Sequence, residues 1–153
     1  MKKFELTAES KIIAGKKLFR IKALISFGNV KEGELGGFVE KEENLDQSGN
    51  AWVYGNAWVY GNAEVYGDAE VSGDAEVSGD ADYATVHGFG SEYRTTTFFR
   101  TKAGDIGVRC GCFYGTLEEF RAKVKETHGE TKTAKEYLRV ADLMEFRFSK
   151  EEV

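Results

Sequence analysis

A chain of 153 residues with 21 Lys and Arg against 26 Asp and Glu carries a net charge of −5, which argues against a general nucleic-acid grip. That length is enough for a core that removes about two-thirds of the extended chain's surface from water. No apolar run approaches the about 20 residues that cross a bilayer, and MKKFELTAES lacks the apolar stretch of a secretory leader; the expectation is a cytoplasmic protein with no membrane contact.

The charge is unevenly placed. Residues 1–41 hold nine Lys and Arg and five acids, 42–93 hold eleven acids and no Lys or Arg, and 94–153 hold twelve basic and ten acidic residues. The acidic middle offers no cations to displace phosphate counterions, so it is not expected to bind nucleic acid directly. Acidic side chains of this kind keep a sheet surface soluble or imitate nucleic acid toward a partner.

In chain order, Phe4 and Leu6, then Phe19, Ile21 and Ala23, alternate with polar residues, and AGKK around Gly15 marks a hairpin turn. Residues 1–34 read as an N-terminal β cap. LGGFVEKEENL gives a first imperfect hexad with Leu35 and Val39, and the eight residues from Leu45 to Val53 place a slip in a corner around 46–49.

From Asn50 to Tyr83 the chain reads NAWVYG NAWVYG NAEVYG DAEVSG DAEVSG DADY. Ala and Val lie two apart, so an extended backbone puts them on one face, and each Gly followed by Asn or Asp supplies a turn. A period of six predicts a short parallel β-helix over residues 35–90. Three hexads per coil would stack residues eighteen apart, Trp52 under Glu70 and Trp58 under Glu76. Val53, Val59, Val65, Val71 and Val77 should then point inward, with Trp52, Trp58, Glu64, Glu70 and Glu76 outward. Trp52, Tyr54, Trp58, Tyr60 and Tyr66 form a candidate aromatic surface for a ligand, the N-terminal cap or a second subunit.

After Tyr83, Val86, His87 and Gly88 fall off the six-residue grid. Residues 91–153 read as a ββαα module. RTTTFFRT and IGVRCGCF flank the turn KAGD, with Ile106, Val108, Cys110 and Cys112 on one face. Thr116 with Glu119 and Thr133 with Glu136 then have capping-box spacing. The two cysteines read as free thiols, and no metal or cofactor is expected from their spacing. Cys110 or Cys112 with His128 lacks a third group for nucleophilic catalysis. Arg94, Arg100 and Arg109 form a basic set able to hold a phosphate or carboxylate, or to pair with the chain's own acids.

The segments LFRIKAL, FGNVKEGELGGFVEKEENL and GNAWVYGNA resemble a group of phage and prophage hexapeptide-repeat proteins, loosely described as polymer-forming. CGCFYGTLEEF…KETHG…AKEYL is similar to a module carried by some members. The resemblance implies repeats of the β-helix kind and a place in a host cell, and it names no activity; the aromatic early coil and the C-terminal module make a homo-oligomer, a trimer, the expected assembly. A more distant similarity to hexapeptide acyltransferases implies a left-handed parallel β-helix with three hexads per coil and a trimer, and would make His87 a general base, although Gly stands two residues after the core Val here.

Three functions follow as expectations. One is a non-enzymatic binding or assembly protein, set in host takeover or anti-defence, that sequesters a host protein or an anionic, nucleotide-like small molecule. The others are an acyltransferase and a structural component of a particle.

Overall fold

The computed structural model describes residues 2–90 and 92–149. Two strands open the chain, β1 (Phe4–Ile13) and β2 (Lys16–Ala23), paired antiparallel around Ala14 and Gly15. Both turn residues have positive φ, 51° and 76°, as a two-residue hairpin turn demands. Ile21 and Ala23 are buried as the alternation predicts.

The repeat segment then supplies very short strands: β3 (Leu35–Val39), β4 (Trp52–Val53), β5 (Trp58–Val59), β6 (Glu70–Val71) and β7 (Glu76–Val77). Residues eighteen apart pair in parallel, Trp52 with Glu70 and Trp58 with Glu76. Before the slip the offset is twenty, Val39 with Val59 and Leu45 with Val65, so the corner at 46–49 adds two residues. There the Asp46 carboxylate accepts from Ser48 N and Ser48 Oγ, both at 3.0 Å.

The predicted left-handed parallel β-helix is nevertheless not the architecture. The strands sort into a five-stranded sheet of order β1-β2-β3-β5-β7, a two-stranded sheet β4-β6 and a separate four-stranded sheet. Each glycine corner cuts a hexad to two residues of strand, β2 meets β3 antiparallel, and the repeat stops after Val77. Ala81 lies exposed in the 3-10 turn Asp80–Asp82.

The face assignment holds in part. All five valines are fully buried, with Ala51, Ala57, Ala69 and Ala75 between them. Leu35 and Trp52 are the exceptions, Leu35 being 53% exposed and Trp52 fully buried. Gly36 and Gly37 explain how the first turn packs so closely, since a Cβ would stand 2.6 Å from Val53 O and Ala57 O respectively. The hairpin is tied down by Lys3, whose buried ammonium donates to Ala51 O at 2.8 Å and lies over the Phe27 ring. Burial pulls that amine down to about 8, while the Asp46 carboxylate pulls the other way.

The C-terminal part has four strands rather than two. Tyr83–Phe89, expected to close the repeats, is β8, which pairs antiparallel with β9 (Arg94–Arg100), itself paired with β10 (Ile106–Cys110). FYGT forms β11 (Phe113–Thr116). Position 91, the expected domain boundary, lies outside the described residues. Cys112 sits exposed in the turn after Gly111, not on the strand face with Cys110.

Two helices cover one face of this sheet, α1 (Leu117–His128) and α2 (Lys132–Arg147). Thr116 caps α1 as expected, accepting from Glu119 N while Thr116 N donates to the Glu119 carboxylate. Thr131, two residues ahead of the expected Thr133, caps α2 by accepting from Ala134 N.

Strand β9 joins the two parts. Phe98 enters the core under the helices, and Phe99 enters the core of the repeats. Truncating either ring to Ala should lower stability by about 3–5 kcal/mol. Urea unfolding followed by Trp fluorescence and by helical circular dichroism should still give one coincident transition for both variants. Two separated transitions would mean that the cores fold independently.

Candidate functional site

The structure does not gather the aromatic set into one surface. Trp52 is covered by the protein's own hairpin, with Phe4 and Phe27 edge-on at centroid separations of 6.3 and 5.3 Å. Its expected outward position is therefore corrected: the ring fills the space beneath the hairpin. Lys102 places its ammonium 3.9 Å from the Trp58 ring centre, and the Arg109 guanidinium lies 4.7 Å from that of Tyr54. Tyr60 donates to Glu76 at 2.5 Å, and exposed Tyr66 packs edge-on against Tyr83.

The arginines divide for a geometric reason. Arg94 and Arg100 share one face of β9, six residues or about 20 Å apart, whereas Arg109 is registered opposite Thr97 and belongs to the other face. Arg100 is held by Asp82 at 2.9 Å and donates to Phe148 O. Arg109 donates to Ser72 Oγ at 3.1 Å and stands 3.5 Å from the Glu70 carboxylate. Burial raises the Glu70 carboxyl above its usual range, with Arg109 opposing that shift, and burial pushes the Tyr54 phenol up to about 12. Arg94 differs from both, since its ion pair is with exposed Glu92. Gly111, at φ +60°, leaves the Arg94 guanidinium the space that a side chain would fill.

His87 is exposed on β8, and its Nδ1 lies 2.9 Å from Thr95 Oγ1; among the described residues no carboxylate orients it. A general base needs such support. Cys110 accepts from Thr96 Oγ1 at 3.2 Å and faces the Tyr137 phenol. Among the described residues no three His, Cys, Asp or Glu side chains gather to hold a metal ion.

One concave site is a cavity of about 260 Å³ between the sheet and the two helices. Its apolar wall is Phe89 of β8, Phe113 of β11, Phe120 and Val124 of α1 and Tyr137 of α2. The Phe120 and Tyr137 rings meet edge-to-face at 5.7 Å, and His128 stacks beside Tyr137 at 6.0 Å. Burial pushes the Tyr137 phenol up to about 12, and the Cys110 thiol adds to that shift. At the mouth, Arg94 and Lys123 face the cavity with Glu92 and Thr127. Each cation has an exposed carboxylate beside it, Glu92 for Arg94 and Glu126, at 3.8 Å, for Lys123, so both can exchange that partner for another anion at little cost.

Of the residues expected to bind a ligand or partner, Arg94 alone lines this cavity, and Cys110 and His128, weighed as a nucleophile and base, line it too. Nothing in the spacing of Phe89, Phe113, Lys123 and His128 signals that folding brings them together. No protein-family model matches the chain, and no curated protein matches it. No helix of the described residues is long and apolar enough to cross a membrane.

The different settings of Arg94 and Arg109 lead to different mutational outcomes. Arg109→Ala removes hydrogen bonds from a half-buried charge and should lower stability by about 1.5–3 kcal/mol. Arg94→Ala should change it by less than about 0.5 kcal/mol, because its pair is exposed. Thermal and urea denaturation of the two variants measure both effects.

Proposed function

We propose that this protein is a non-catalytic binding protein that takes a small anionic molecule bearing one aromatic ring system. The observation that carries the reading is the cavity between sheet and helices, with an aromatic wall inside and Arg94 and Lys123 at its mouth. At about 260 Å³ it lies just below the about 300–1,000 Å³ typical of drug-sized ligands, a size suited to a single ring system. The rings of Phe120 and Tyr137 favour a planar aromatic guest. A phosphate or carboxylate at the mouth meets charge-assisted donors, and Arg94 can exchange its exposed Glu92 partner for a ligand at little cost.

Sequestration needs no acid, base or nucleophile, and the exposed setting of His87 gives the acyltransferase alternative no support. A role in host takeover or anti-defence remains compatible with this chemistry and rests on the resemblance alone.

Isothermal titration calorimetry with phenyl phosphate tests the reading. Wild type should bind phenyl phosphate at least tenfold more tightly than inorganic phosphate, with affinity falling as salt rises. Arg94→Ala should weaken binding tenfold or more, and Thr127→Trp should block the mouth. His87→Ala should bind as wild type does. Equal affinity for the two phosphates, or release of phenol during the titration, would overturn the proposal.

A further inference from the structure

A second cavity, of about 400 Å³, lies on the other side of Arg94. Its lining is different in kind: Asn29 from the connection between β2 and β3, Asn50, Tyr54, Asp68 and Glu70 from the repeats, and Thr95 from β9. Arg94 and Gly111 form its boundary toward the sheet, and Arg94 lines both cavities. We propose that the two cavities are subsites for one ligand, with an aromatic group in the first, an anionic group at Arg94, and a neutral hydroxyl-rich group such as a sugar in the second.

This second subsite rests on the aromatic-anion reading of the first cavity and extends it by the chemistry of the second lining. Arg109 stands beside Glu70, and Asp68 disfavours a second anion, so a neutral group suits the space next to an anionic group held by Arg94. What it offers is mixed hydrogen bonding. Carboxylates accept, the two side-chain amides both donate and accept, and the Thr95 hydroxyl does either.

One acceptor has no partner. Glu70 Oε2 is buried without a hydrogen bond, and Arg109 Nη2 at 3.5 Å is too distant to make a good one. An unsatisfied buried carboxylate oxygen is costly, and a ligand hydroxyl is a donor that supplies no charge. Asn29, Asn50 and Asp68 are exposed, so the cavity is open to solvent and a ligand can enter it without unfolding the repeats.

Uridine diphosphate and uridine diphosphate glucose are suitable probes, because they share a planar ring and a diphosphate and differ by one hexose. Calorimetry should show the glucose conjugate binding wild type at least tenfold more tightly than the diphosphate. In Asn50→Leu and Asp68→Leu, both changes at exposed positions, that advantage should fall below threefold, with unchanged circular dichroism and thermal midpoint showing an intact fold. Equal affinity of wild type for the two probes would overturn the second subsite while leaving the first standing. Binding of phenyl phosphate with no binding of either uridine probe would overturn it as well. Failure of all three probes to bind would overturn this inference together with the reading on which it rests.

Discussion

Strand β9 is buried on both faces, and the rest of the molecule depends on that. A pleated strand presents successive side chains to opposite sides. In the run Thr96, Thr97, Phe98, Phe99 all four side chains are buried, so neither side of this stretch faces water. Thr96 and Phe98 face Cys110 and the helices, whereas Thr97 accepts from Glu70 N and Phe99 packs with the repeat valines. The antiparallel sheet is thereby a middle layer, with the repeats on one side and α1 and α2 on the other.

That layering decides which charged groups face open space. Arg109 and Arg100 point into contacts between layers and are consumed by Glu70, Ser72, Asp82 and the carbonyl of Phe148. Arg94 stands at the start of the same strand, where the layers part. It is therefore the arginine that borders open space on both sides of the sheet, with only an exposed carboxylate as its partner. The surface aromatics follow the same logic. Packing sets Arg109 against Tyr54 and Lys102 against Trp58 and buries Trp52 under the hairpin, so these three rings are engaged within the protein itself.

Much of the repeat was legible because its signal is local. The six-residue spacing of Val and Ala gave the buried face, and the slip from Leu45 to Val53 gave the change in pairing offset. The hairpin at Gly15 and the Thr116 cap were equally local. The architecture was not legible in the same way, since strand partners are chosen by contacts far apart in sequence. Nothing in LFRIKAL says that β2 will pair antiparallel with β3, and ATVHGFG reads as a damaged repeat until β9 is available to pair with it. The cavity was hidden for the same reason. Phe120, Val124 and Tyr137 look like core residues, and only the parting of sheet and helices beside Phe89 turns part of that core into a lined space. Arg94 was visible as a candidate, but its separation from Arg109 required the register of β9 against β10.

The central claim is that recognition takes place between the sheet and the helices and not on the repeat surface. Chemical-shift mapping during a phenyl phosphate titration of isotope-labelled protein tests it most directly. The account predicts saturable shifts concentrated at Arg94, Lys123, Val124, Thr127 and His128, with the indole signal of Trp58 unmoved. Shifts centred on Trp58 and Lys102, with the α1 signals unchanged, would contradict it.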